Sequence, residues 1–220
     1  MWNETVLKMI GEGILETLYM TIFSSLIAYA IGLPLGIMLV ITDKDGIASF
    51  VSLNKLLGII VNLIRSVPFI ILLIAVMPVT RAIVGTTIGP NAVVVPLIIA
   101  SAPYIARLVE SSLKEVDQGV IEAAQSMGAS PKQIILKVLI PEAKPSLIMG
   151  SAIAVITILS YSAMAGFVGG GGLGTIAINY GYYRYKTDIM LVTVAILVLI
   201  VQVFQELGAR WMKRSDRRLK

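Results

Sequence analysis

The chain contains no cysteine and no histidine among its 220 residues, and only 14% of the residues are charged. The first two absences exclude disulfide bonds, thiolate zinc sites and any metal ligand or general base built on imidazole. Soluble domains carry about 25% charged residues. Here 57% of the residues are hydrophobic and the mean hydropathy is +0.89. The composition therefore predicts a protein that crosses a membrane several times, and we expect no metal and no cofactor.

Five stretches are long and apolar enough to cross a bilayer, which takes about 20 residues in a helix. They cover residues 18–41, 56–77, 82–106, 146–168 and 189–205, and Arg65 is the one charge inside them. Within the first stretch, Gly32 and Gly36 favour a close helix–helix contact. We expect an all-α membrane protein in which residues 1–220 form a single domain of five transmembrane helices.

The distribution of Lys and Arg predicts the orientation, because cytoplasmic loops are enriched in these residues. Four of the 18 basic residues fall on one predicted face: Lys8, Arg81, Arg184 and Lys186. Thirteen fall on the other: Lys44, Lys55, Arg107, Lys114, Lys132, Lys137, Lys144, Arg210, Lys213, Arg214, Arg217, Arg218 and Lys220. We therefore expect the N-terminus outside and the C-terminus in the cytoplasm.

None of the five stretches contains an aspartate or a glutamate. A proton-coupled secondary carrier usually holds such a residue within the membrane, so this alternative is disfavoured but stays open. No G-x-S-x-G elbow and no P-loop occurs, and the glycine run at 169–174 is not followed by lysine. We expect neither catalytic residues nor an ATPase within this chain, and no nucleic acid as a partner.

The longest predicted cytoplasmic loop, residues 107–145, contains two short helices in its sequence pattern. Gly128 can adopt the positive φ that ends a helix. Ser130 is a good N-cap and Pro131 suits a first helical position. Pro141 predicts that the second helix stops or begins its exit at this position. The pattern indicates a polar helical hairpin, which is either a functional surface or a simple connection.

The hairpin sequence "EAAQSMGASPKQIILKVLIPEAKP" resembles the EAA loop of type I ABC importer permeases. Glu-Ala-Ala is followed after three residues by Gly, and then by an aliphatic residue and Pro141 at the family's spacing. The resemblance implies a coupling helix that docks on a cytoplasmic ATPase. It assigns ATPase coupling to Glu122, Ala123, Ala124, Gly128 and Pro141.

Three longer strings are similar to the permeases of methionine importers: residues 62–89, 102–113 and 161–185. This resemblance implies a subunit of an ATP-driven amino-acid importer in the bacterial inner membrane, with methionine as the expected substrate. It also implies the partners, namely a second copy of this chain, two ATPase subunits and an extracytoplasmic substrate-binding protein. A permease for another amino acid or small solute remains the alternative.

Two further positions within the predicted spans are candidates for function. Met164 lies in the small-residue segment "SYSAMAG", and together with Tyr161 and Ser162 it predicts a gate on the translocation path; ordinary packing is the alternative. Arg65 is either a charge on the path or an anchor near the membrane surface. The glycine- and tyrosine-rich segment 169–188 indicates an ordered loop or an interfacial segment, and its glycine run at 169–174 indicates a flexible outer-gate loop or a turn-rich connection.

The predicted orientation can be tested by labelling, because the chain offers a cysteine-free background. Single Lys8→Cys and Lys186→Cys variants should react with an impermeant maleimide added outside intact cells. A Lys132→Cys variant should stay unlabelled until the membrane is permeabilised. Labelling of Lys132→Cys from outside would reverse the orientation.

Overall fold

The computed structural model describes residues 4–215, and within that range the chain is helical with no β-strand. The α-helices, joined by short turns and by π or 3-10 segments, are α1 (Glu4–Ile41), α2 (Val51–Ser66), α3 (Phe69–Ala75), α4 (Met77–Val84), α5 (Pro90–Lys114), α6 (Gln118–Ser126), α7 (Pro131–Ile134), α8 (Ile140–Met164), α9 (Gly172–Ile176) and α10 (Thr187–Ser215). The predicted all-α class is confirmed.

In residues 4–215, four continuous helical segments are long and apolar enough to cross a membrane: Glu4–Ile41, Pro90–Lys114, Pro131–Val168 and Thr187–Ser215. The pair α2 and α3 provides a fifth if the two are counted as one bent span. The count of five spans therefore stays a prediction. The observed helices extend past the predicted stretches because hydropathy detects the apolar part of a helix and not its polar ends.

The predicted second span, residues 56–77, is not one helix. The chain is extended at Val67 and Pro68, and α3 leaves α2 at an angle of 101°. Pro68 explains the break, because a proline disfavours helical geometry in the residue before it and cannot donate a backbone hydrogen bond. Residues 56–77 therefore contain a sharp bend between two helices where the sequence analysis expects one continuous span.

The predicted third span, residues 82–106, begins too early. Residues 82–84 belong to α4, which ends at Gly85 with a left-handed φ of +82°. Gly89, at φ +91°, then precedes Pro90 in the first turn of α5. These glycines adopt a backbone conformation that other residues rarely adopt, so the chain turns here and does not cross.

Pro141 does not end a helix, contrary to the sequence prediction. Residues 131–168 form one continuous helical segment, with a π turn at Ile135–Leu139 that ends two residues before Pro141. The amide of Ile140 donates to the carbonyl of Ile135, one residue further back than in an α-helix. The wider turn accommodates the proline and brings Ile134 and Leu139, both buried, to the same side.

The centre of the fold is the contact between α1 and α5, which is the most extensive helix pair of the chain. A Cβ atom on Gly32 would lie 2.7 Å from the carbonyl oxygen of Ala102, and one on Gly36 would lie 2.6 Å from that of Ala106. Two glycines four residues apart therefore face two alanines four residues apart. The expected close contact at Gly32 and Gly36 is confirmed.

The two ends of the bundle differ in chemistry. The basic end, formed by residues 42–50 and 115–130, lies near Lys44, Lys55 and Lys114. The glycine end, formed by residues 85–89 and 169–172, lies at the other ends of α5 and α8. Arg217, Arg218 and Lys220, which belong to the predicted cytoplasmic face, lie outside the described residues. Which end faces the cytoplasm stays a prediction.

The α1–α5 contact predicts different outcomes for two alanine substitutions in the same helix. Gly36→Ala should destabilise the protein by about 1–3 kcal/mol, because the new methyl group meets a backbone carbonyl that cannot move aside. Gly11→Ala is the control, since no atom lies within 4 Å of its added Cβ. Thermal unfolding in detergent measures both, and equal unfolding temperatures would contradict the prediction.

Candidate functional site

Helix α6 has well-defined ends, which hold the motif residues in place. The Asp117 side chain accepts a 2.8 Å hydrogen bond from the amide of Gly119 and caps the N-terminus. At the C-terminus the amide of Gly128 donates to Gln125 and that of Ala129 to Ala124, which is the Schellman arrangement. Gly128 has φ +77°, as the sequence predicts.

The turn after α6 leads directly into the next helix. The Ser130 hydroxyl accepts from the Gln133 amide, while the Gln133 side chain accepts from the Ser130 amide. This capping box and Pro131 in the first turn agree with the predicted helix start. We call residues 117–134 the hairpin.

The two faces of α6 separate the predicted coupling residues. Ile121 and Ala124 are buried and join the core that contains Leu113 and Leu139. Glu122 and Ala123 point outward and are exposed. The structure therefore places Ala124 in the packing beneath α6, and only the other two residues of the Glu-Ala-Ala motif lie on a surface that a partner can reach.

Met127 is the most prominent side chain on the hairpin surface, with 81% of its area exposed. Its flexible, polarisable thioether suits a contact surface between proteins. Sequence reasoning missed it because one methionine among ten carries no pattern, although its place directly before Gly128 is a usable signal.

Glu122 also lines a cleft of about 390 Å³ at the basic end. The other walls come from the segment after α1, including Asp43, and from the end of α5, including Lys114. Lys114 donates a 2.9 Å hydrogen bond to Asp43 and forms a 3.0 Å ion pair with Glu110. The hydrogen bond from Lys114, and then the backbone amide of Lys44, lower the pKa of the Asp43 carboxyl group.

Arg107 extends these contacts to α2. Its guanidinium forms an ion pair with Glu110 and donates a 2.8 Å hydrogen bond to the Asn62 side chain. Polar contacts thus tie the segment after α1 and the helices α2 and α5 together beside the hairpin. The sequence showed these charges but not that they meet.

The predicted gate residues lie at the end of α8 that is farther from the hairpin. The Tyr161 ring stacks on Phe69 of α3, with centroids 4.4 Å apart and an angle of 2° between the rings. Met164 is 40% exposed. Ser162 is buried and its hydroxyl donates to the carbonyl of Leu159, so in this chain it faces the packing and not the surface shared by the other two.

Arg65 and Pro141 are both exposed near the end of a helix, a location that the hydropathy of the sequence does not predict. Arg65 lies exposed in the last turn of α2, where a cation is favoured by the helix dipole, and its guanidinium is 6.0 Å from the centre of the Tyr104 ring. Pro141 is exposed in the first turn of α8, after the C-terminal end of the hairpin.

The glycine-rich segment 169–188 is largely helical. Gly169, Gly171 and Gly172 have positive φ angles, and Gly172 is the first residue of α9. The Gly172 amide donates a 2.6 Å hydrogen bond to Glu16, and the Leu173 amide donates a 2.9 Å hydrogen bond to the Thr17 hydroxyl. Both contacts fasten the segment to α1.

Residues 32–220 match the family described as the binding-protein-dependent transport system inner membrane component. The chain belongs to this family of transport permeases. A probable D-methionine transport system permease from Vibrio cholerae is 51% identical over 203 residues, which is 92% of this chain and 90% of that protein. The methionine import system permease of Bacillus subtilis is 44% identical over 208 residues, covering 94% and 90%.

Solved permease structures agree with this membership. A chain of the methionine ABC transporter MetNI in inward-facing conformations has a TM-score of 0.96 and 44% identity, covering 98% of this chain and all of the other. A chain of an amino acid ABC transporter at 22% identity has a TM-score of 0.79, which shows the shared fold alone. The predicted type I importer permease fold is confirmed.

Proposed function

We propose that this chain is the permease subunit of an ATP-driven methionine importer in the inner membrane. Two copies form the translocation path and couple through the hairpin to two separate ATPase subunits, while an extracytoplasmic protein delivers the substrate. The observation that carries the proposal is the exposed motif face of α6, in a fold with a TM-score of 0.96 to a methionine ABC transporter chain. The 51% identity to a D-methionine permease supports the substrate.

The geometry supplies a mechanical route from the ATPase to the path. Ile121 and Ala124 bury the underside of α6 in the core, so a force on the exposed face moves α6 together with the helices beneath it. The hairpin then continues without a break through α7 and α8 to Met164. At 1.5 Å per residue, this helix spans about 50 Å between Pro131 and Met164.

In this mechanism, ATP binding closes the two ATPase subunits and draws the two hairpins together. The far ends of α8 move apart and the path opens to the outside, where the binding protein releases methionine. ATP hydrolysis reverses the movement. Glu122, Ala123 and Met127 are the contact residues, Ala124 and Gly128 hold the shape of the surface, and Pro141 supports the start of α8.

Gly128→Val tests the coupling. A β-branched residue at φ +77° costs about 1–3 kcal/mol locally, so the hairpin should lose its shape and transport should fall by roughly tenfold. Gly85→Val is the matched control, because Gly85 has φ +82° and open space around it but lies at the glycine end. Copurification of the ATPase and uptake of L- and D-methionine into proteoliposomes measure the effect.

Normal ATPase binding and normal uptake in Gly128→Val would reduce the hairpin to a connection and contradict the coupling proposal. Stimulation of ATP hydrolysis by a different amino acid, and not by methionine, would leave the coupling intact and assign another substrate. The two halves of the proposal can therefore fail separately.

Met164→Ala tests the gate that we propose for Met164 and Tyr161. If Met164 fills the closed path, its removal should raise basal ATP hydrolysis and substrate leak while the complex still assembles. Met149→Ala is the control, because Met149 lies on the same helix and is 37% exposed, close to the 40% of Met164. Equal leak in the two variants would return Met164 to ordinary packing.

A further inference from the structure

Helices α1, α8 and α10 enclose an apolar groove that the transport mechanism does not use. Its volume is about 440 Å³, within the roughly 300–1,000 Å³ typical of ligand pockets. On each helix the lining residues recur at spacings of three and four, so each helix contributes one stripe. The walls include Leu26 and Tyr29 of α1, Ser151 and Val155 of α8, and Leu207 and Trp211 of α10.

The groove interior suits a hydrocarbon chain. Its two serine hydroxyls are already satisfied within their own helices, since Ser25 donates to the carbonyl of Thr21 at 2.6 Å and Ser151 to that of Leu147 at 2.8 Å. Gly208 lets α10 approach α8 closely, because an added Cβ would lie 2.3 Å from that of Ala152. The groove therefore has a tight apolar floor, and both of its serine hydroxyls already have acceptors.

Two cations stand at one end of this groove. Lys144 precedes the α8 stripe by one turn, and Arg214 follows the α10 stripe by one turn. Since α8 leaves the basic end and α10 runs toward it, both side chains lie at the same end of the groove. Both are exposed, and within residues 4–215 neither has an acidic ion-pair partner.

Two other cations of α10, Arg210 and Lys213, are not available at this end of the groove. Arg210 is engaged by Glu206 at 2.7 Å. Lys213 lies two residues from Trp211, which places it on the opposite side of α10 from the groove. Trp211 itself is 64% exposed at the end of the groove, between the apolar wall and Arg214, and tryptophan is enriched at the membrane–water interface.

We propose that the groove binds one acyl chain of an anionic phospholipid, whose phosphate contacts Lys144 and Arg214. The apolar walls accept the chain, and Trp211 lies at the level of the glycerol backbone. The two cations, which have no acidic ion-pair partner within residues 4–215, select a headgroup with a net negative charge. Zwitterionic lipids fit the same walls but gain less from the cations.

The test is native mass spectrometry of the purified transporter complex after exposure to equal amounts of phosphatidylglycerol and phosphatidylcholine. The wild-type complex should retain phosphatidylglycerol in preference. The double variant Lys144→Gln/Arg214→Gln should lose that preference by roughly fivefold for each charge removed. Equal retention of the two lipids by the wild type would overturn the proposal.

A matched control removes the same charge from the same end of the bundle. Lys55→Gln/Lys213→Gln changes one residue of α2 and one on the far side of α10, and it should keep the wild-type preference. If this variant loses as much preference as Lys144→Gln/Arg214→Gln, the binding reflects overall charge and the groove is not the site.

Leu26→Trp fills the groove without changing any charge, since Leu26 is 66% exposed on its wall. It should reduce the amount of bound phosphatidylglycerol while the complex stays assembled. Unchanged lipid retention would overturn the proposal. Separation of the two permease copies would also overturn it, because the groove would then hold a second copy of this chain.

Discussion

The close contact between α1 and α5 is the constraint on which the rest of the structure depends. Lipid supplies no hydrophobic force that pushes apolar helices together, so tight packing must hold them. At Gly32 and Gly36 the backbones meet with no room for a methyl group. The helix α5 held in this way also packs against α2 and α8, so all three neighbours are positioned by one central helix.

The hairpin presents an exposed surface on a helix that is held in place by buried side chains and by caps at its ends. Its outward side chains belong to a helix of nine residues, which would be marginal by itself in water. The burial of Ile121 and Ala124 and the caps at both ends stabilise that helix. The exposed face of α6 is therefore fixed to the core by packing and by its caps, although it projects from the end of the bundle.

Local signals could be predicted from the sequence, and relations between distant residues could not. Gly128, Ser130 and Pro131 act on their own backbone, so their geometry follows from residue type alone. The roles of Ala123 and Ala124 depend on which side of α6 meets the core, and identical side chains carry no such information. The stacking of Tyr161 on Phe69 joins residues that only the fold brings together. The prediction that the helix ends at Pro141 was wrong, because the π turn ahead of this proline removes the clash between its ring and the carbonyl four residues earlier.

The length of α1 has a consequence for the glycine end. Its 38 residues extend about 57 Å, whereas the hydrocarbon of a bilayer is about 30 Å thick. Much of the helix must therefore extend beyond the hydrocarbon, and its four charged residues, Glu4, Lys8, Glu12 and Glu16, all lie within its first 13 residues. The glycine-rich segment, whose Gly172 and Leu173 amides donate to Glu16 and Thr17, is thus attached to α1 and, through α1, to α5. Although it follows α8 in sequence and packs against the end of α8, this segment is therefore also tied by hydrogen bonds to the helix that holds the centre of the fold.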